Sequence, residues 1–123
     1  MPCAMTYKPD GWPDVVPRIF VEEPVHLYRF MLAVFGATAD IHPGAPIEAR
    51  VGDSIIMLSD TSVREPQAAC LYVYVPDVDS AYSAAIAAGA ETIEDPRDTP
   101  YGDRRAMVRD PWGNVWQMAT RGD

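Results

Sequence analysis

Asp110-Pro111-Trp112-Gly113-Asn114-Val115-Trp116-Gln117 is the stretch whose reading decides the fold. Asp-Pro followed by Gly-Asn is strong turn chemistry. Pro presets φ at the second turn position, and Gly or Asn accepts the left-handed conformation that closes a hairpin. After the turn the side chains alternate as a strand's do. Val115, Gln117 and Ala119 fall on one face, Trp116 and Met118 on the other.

Upstream, the same order of elements occurs twice. Cys70 to Val75 alternates, with Leu71, Val73 and Val75 opposite Cys70, Tyr72 and Tyr74. Val78 to Ala88 reads as an Ala-rich helix stopped by Gly89, and strands are predicted near Glu91 to Glu94, Arg104 to Arg109 and Asn114 to Thr120. Earlier, Val15 to Val21 alternates, with Val16, Arg18 and Phe20 on one face and Val15, Pro17, Ile19 and Val21 on the other. Pro24 to Phe35 carries Leu27, Met31, Val34 and Phe35 at helical spacing, between Pro24 in the first turn and Gly36 at the stop. Short strands are predicted at Thr38 to Ile41, Ile47 to Val51 and Ser54 to Ser59. Gly36-Ala37 recurs as Gly89-Ala90 at an offset of 53, Val21 matches Val75 at 54, and Ile56 and Leu58 match Trp116 and Met118 at 60. Insertions in loops produce such a rising offset. Two βαβββ units follow, each too small to bury its sheet alone. The division is an extended N-terminal arm at 1–14, a first module at 15–60, a linker at 61–68 and a second module at 69–123, all within one compact domain.

Composition narrows the function classes. The formal charge of −8, with ten Lys plus Arg in 123 residues, argues against nucleic acid or anionic membranes, which need a basic face. No apolar run approaches the ~20 residues that span a bilayer, and no signal peptide is visible. Cys3 and Cys70 lack metal-knuckle spacing and read as reduced thiols of a cytoplasmic protein.

The final turn and strand resemble the Asp-Pro-x-Gly-Asn-x-x-Glu ending of the vicinal oxygen chelate superfamily, which holds glyoxalase I, bleomycin-resistance proteins and extradiol dioxygenases. Arg50 to Asp60 looks like the fourth strand of the bleomycin-resistance-like branch, and Val75 to Asp79 with Ala88-Gly89-Ala90 looks like the start of its second module. The resemblance implies an α+β fold in which two tandem modules form a curled, mostly antiparallel eight-stranded sheet around a cavity, often in a homodimer. It also implies a divalent metal held by a first-strand residue and a last-strand residue of each module. Here the last-strand positions are Met57 and Gln117, the latter in place of Glu. The first-strand positions fall at Val16 and Cys70, or at Arg18 and Tyr72 if the register slips by two.

Those residues lack the imidazole and carboxylate donors that divalent sites want, so no metal or other cofactor is expected. His26 and His42, the only histidines, lie away from these positions and read as solvated. Arg18, Phe20, Met57, Cys70, Tyr72, Tyr74, Trp112 and Gln117 remain as candidate ligand-binding residues. Small-molecule sites are mostly apolar with a few placed polar groups, and an Arg there would favour an anion.

The leading expectation is a metal-independent protein that binds a small aromatic or anionic organic molecule. A second is a glyoxalase-type lyase, isomerase or dioxygenase using Tyr72 or Cys70 as acid, base or nucleophile. A third is a purely structural or partner-binding dimer with a filled cavity. Arg104, Arg105 and Arg109 read as internal ion-pair partners. Arg18 has Glu48 as a possible partner, and Asp95 to Asp103 is expected to be a loop beside the pocket.

Overall fold

The computed structural model describes residues 7–62 and 64–122, so Cys3 and the first part of the N-terminal arm lie outside the described residues. Along the chain run β1 (Arg18–Phe20), α1 (Pro24–Phe35), β2 (Ile47–Val51), β3 (Ser54–Ser59), β4 (Cys70–Tyr74), α2 (Val78–Ala87), β5 (Glu91–Asp98), β6 (Asp103–Arg109) and β7 (Val115–Arg121). The architecture is α+β. One sheet has the order β1-β3-β2, the other β4-β7-β6-β5. In each sheet the first strand lies parallel to the last and every other pair is antiparallel. Arg18 faces Met57 across β1 and β3, and Tyr72 faces Gln117 across β4 and β7. These registers carry the same offsets of 54 and 60 that the sequence shows.

The resemblance implies eight strands in one curled sheet. The described residues instead form seven, in two sheets, with no closed barrel. The strand expected at Thr38 to Ile41 survives as a single bridge, in which Thr38 and Arg50 exchange N–H donors at 3.0 and 2.8 Å. Beyond it, Pro43 and Pro46 have no N–H to offer β2, and Gly44 turns the chain at φ 80. The ladder therefore cannot continue. β5, by contrast, runs to Asp98 rather than Glu94. It crosses Pro96 through shifts in register, which an edge strand tolerates because the missing N–H faces no partner. The expected Asp95 to Asp103 loop is thus mostly strand, closed by a short turn in which the Thr99 N–H donates to the Asp103 carbonyl at 2.8 Å.

Local chemistry fixes the helices. Pro24 opens α1, where an N–H would be unsatisfied anyway. Gly36 closes it at φ 69, donating its N–H to the Leu32 carbonyl at 3.0 Å. The Asp77 carboxylate caps α2 by accepting from the Asp79 and Ser80 N–H groups. α1 buries Leu27, Phe30, Met31 and Val34, and α2 buries Val78, Ala81 and Ala85. A single hydrophobic cluster joins these to Ile19, Leu58, Trp116 and Met118, so both halves of the chain share one core. No helix among the described residues is long and apolar enough to cross a membrane.

The Asp110 turn is built around a buried carboxylate. Oδ1 accepts from the Trp112 and Asn114 backbone N–H groups, both at 2.9 Å. Oδ2 accepts from Asn114 Nδ2 at 2.9 Å and from the Trp116 indole N–H at 2.8 Å. Asn114 Oδ1 in turn accepts the Ala69 N–H at 2.9 Å, tying the turn to the residue that enters β4. Gly113, at φ 91, supplies the left-handed step. Trp112 lies edge-on to Phe30 with centroids 6.1 Å apart. It packs there against the helix.

Candidate functional site

Among the described residues β4 is an edge strand whose only ladder partner is β7. The free edge of β1 is met once, by the antiparallel bridge between Phe20 and Gln67, before the chain diverges into β4. A cavity of about 550 Å³ lies along this divergence, with Val15 and Pro17 on one side and Leu71, Tyr72, Val73 and Tyr74 on the other. Phe35 from the end of α1, Ile56 of β3 and Trp116 of β7 complete an apolar wall, and Asp53 and Ser54 of the β2–β3 turn stand in the lining. Alternation along the strands placed the cavity on the Gln117 face. It opens instead beside the β4 edge and reaches the helix-facing side chains, because the two sheets part there.

Tyr72 and Tyr74 project from the same face of β4, with rings 5.5 Å apart. Both hydroxyls donate to Asp103 Oδ2, at 2.8 and 2.9 Å. Asp103 is only 2% exposed, and its Oδ1 has no hydrogen-bond donor among the described residues; the Arg121 guanidinium stands 3.1 Å away as an ion pair. The Tyr72 and Tyr74 hydroxyls and the Arg121 charge outweigh burial and hold the Asp103 carboxyl below the usual carboxylate range. Burial, reinforced by hydrogen bonds to Tyr101 and Asp103, pushes the Tyr72 phenol above its ordinary range. At neutral pH the carboxylate is therefore ionised and the Tyr72 proton committed to it, which removes Tyr72 from the role of general base.

Sequence reasoning missed Asp103 because it was assigned to a loop. Its signal is the alternation of Asp103, Arg105 and Met107 against Arg104, Ala106 and Val108, visible only once β6 begins at 103.

The other candidates do not converge. Arg18 donates to Ser59 Oγ at 3.2 and 3.1 Å and lies 4.9 Å over the Phe20 ring, with no ion pair to Glu48. It lines a separate cavity of about 480 Å³ together with His42. The guanidinium that would favour an anion is thus outside the cavity holding Tyr72 and Tyr74. Gln117 directs Nε2 at Met107 Sδ, 3.7 Å away, and Cys70 is an exposed free thiol. His26 is exposed and pairs with Glu23 at 3.1 Å. Arg104 pairs with Asp79 and Asp98, Arg105 with Glu94 and Arg109 with Glu91, as internal partners rather than an anion funnel.

A divalent metal does not fit these residues. The register sets Arg18 against Met57 and Tyr72 against Gln117, so the slipped alternative, not Val16 and Cys70, faces the last strands. A guanidinium cannot ligate, the Tyr72 phenol is held protonated, and a thioether and an amide are weak donors. Among the described residues no three His, Cys, Asp or Glu side chains gather closely enough to hold an ion.

A model of the glyoxalase/bleomycin resistance protein/dioxygenase superfamily matches residues 19–118. No curated protein sequence matches the chain. Among solved structures, TioX from Micromonospora sp. ML1 is similar at a TM-score of 0.75 and 23% identity, over 89% of this chain and 98% of that one. A glyoxalase/bleomycin resistance protein/dioxygenase family enzyme from Burkholderia phytofirmans PsJN gives 0.73 and 25%, over 86% and 96%. A glyoxalase-related enzyme from Fulvimarina pelagi gives 0.72 and 18%, over 89% and 88%.

Proposed function

The chain belongs to the glyoxalase/bleomycin resistance protein/dioxygenase superfamily, and from that premise we propose that it is a metal-independent member binding a small aromatic organic molecule. The cavity beside β4 carries this reading. Its volume of about 550 Å³ suits a small organic ligand, and its wall is apolar and aromatic with a few polar groups at defined places. Phe35, Leu71 and Val73 take the body of the ligand, while Tyr72 and Tyr74 orient it. These two phenols are pre-organised, since their shared bond to Asp103 fixes both rings before a ligand arrives.

The halves of the chain are read as tandem βαβββ modules, the second strand of the first being reduced to the Thr38 bridge. A homodimer is the proposed assembly, and a cytoplasmic protein with reduced thiols the proposed setting.

A thermal-shift screen of aromatic compounds tests the reading, because a ligand that binds only the folded state must raise its melting temperature. The protein is screened with and without prior chelation. A hit unaffected by chelation, and weakened by Leu71→Asp in the cavity wall, is the expected result. Ligands that need stoichiometric Zn, Ni, Mn or Fe would overturn the metal-independent reading. No hit across the screen would remove the ligand-binding role.

A further inference from the structure

Resting on the ligand-binding reading above, we infer that the ligand of this cavity is an organic cation, an apolar or aromatic molecule bearing a protonated amine or quaternary ammonium. Charge and hydrogen-bond valence carry the inference.

Among the described residues Asp53, exposed at the β2–β3 turn, is the only charged side chain lining the cavity, and it has no ion-pair partner there. Among the described residues no Lys, Arg or His lines the wall. Tyr72 and Tyr74 each own one hydroxyl hydrogen, and Asp103 receives both, so neither phenol has a proton to donate to a ligand. The Tyr72 and Tyr74 rings, 5.5 Å apart in the lining, carry π-faces of negative quadrupole, which attract cations. Phe35 is the last residue of α1 and no basic side chain lies in its last turn, so the partly negative carbonyl end of the helix borders the same space. The chain as a whole carries −8.

An anion would meet the opposite of what it needs. The Trp116 indole N–H is already given to Asp110, which leaves the Ser54 hydroxyl as the side-chain donor in the wall. The free β4 edge offers N–H and C=O groups alike and so favours neither sign. Asp53 therefore faces the charge, and Phe35, Leu71 and Val73 the apolar body.

The test uses three probes sharing one body, namely 3-phenylpropylamine, 3-phenylpropan-1-ol and 3-phenylpropionate, titrated calorimetrically into the full chain at neutral pH. The amine is expected to bind about five- to tenfold more tightly than the alcohol, an advantage that shrinks as salt rises, with the propionate weakest. Asp53→Asn, checked for folding by circular dichroism, should lower amine affinity severalfold and leave the alcohol unchanged. Propionate binding as well as the amine, or an amine-to-alcohol ratio untouched by Asp53→Asn, overturns the cation and leaves the ligand-binding reading standing. No binding by any of the three to folded protein takes down both.

Discussion

Replacing Asp110 by Ala withdraws one acceptor from four donors at once. Three of these belong to fully buried residues: the Asn114 backbone N–H, the Asn114 side-chain amide and the Trp116 indole N–H. The fourth, the Trp112 N–H, belongs to a half-buried residue that can turn to water. An unsatisfied buried donor costs about 1–3 kcal/mol, so three would approach the whole stability of a small domain, about 5–15 kcal/mol. Water entering the space left by the carboxylate restores part of the loss, and a net cost of about 3–5 kcal/mol is expected. With a urea m-value of about 1–3 kcal/mol/M, the unfolding midpoint should fall by about 1 M or more.

Asp110→Asn sharpens the test. It keeps the shape and one acceptor oxygen but turns an N–H₂ toward two donors, so it should cost nearly as much as Ala. Pairing Asp110→Ala with Trp116→Phe in a double-mutant cycle should give a coupling of about 1–2 kcal/mol, since the indole N–H is one of the bonds both remove. Urea unfolding followed by tryptophan fluorescence reads the parent and all four variants. A midpoint lowered by less than about 0.5 M in Asp110→Ala, or Asp110→Asn as stable as the parent, would refute the reasoning.

Raised above its unfolded value, the Tyr72 pKa makes a contribution to stability that is whole below about pH 10 and is lost as pH rises beyond it. Tyr72→Phe should therefore flatten the alkaline arm of a stability–pH curve, and tyrosinate absorbance should lose a phenol titrating above the ordinary range while those within it stay unchanged in number. Asp103 is depressed, so its contribution is present above about pH 4 and is lost as pH falls below it. The same Tyr72→Phe variant should shallow the acid arm in urea titrations. Gly113→Ala meets nothing nearer than the Ala68 Cβ at 3.9 Å, so its cost is backbone strain at φ 91, about 1–2 kcal/mol by chemical denaturation. Arg104→Ala breaks only exposed pairs with Asp79 and Asp98 and should shift stability by less than about 0.5 kcal/mol.

Elements bounded by local chemistry were legible in the sequence. Pro24 and Gly36 delimit α1 without help from the rest of the chain, and the Asp-Pro-Trp-Gly-Asn turn forms where its residues place it. The faces of β4 follow from alternation, so Tyr72 and Tyr74 emerge together as read. Failures occur where a partner decides. Thr38 to Ile41 alternates well enough for a strand but lies before two prolines that starve the ladder, and β5 extends past Pro96 because β6 holds it there.

The site was half legible for the same reason. Nothing local to Phe35 or Trp116 says that two sheets part between them, and the capture of Arg18 by Ser59 depends on pairing across 41 residues. Asp103 escaped notice because one residue at the start of β6 separates a loop reading from a strand face.

The hydrogen bond from the Ala69 N–H to Asn114 also sets an order of assembly. β6 and β7 are neighbours in sequence, joined by the Asp110 turn, and such a hairpin closes in about 1–10 μs. The parallel partner β4 must be brought back across 45 residues, a slower search with a larger entropy of closure. Asn114 is in place as soon as the hairpin exists, and it offers its amide oxygen at the point where β4 enters. Changes in the turn should accordingly slow folding, whereas Leu71→Ala in β4 should chiefly quicken unfolding, a division that a chevron plot of each variant resolves. The motif that marks the fold then belongs to a local hairpin that can close before the long-range pairing of β4.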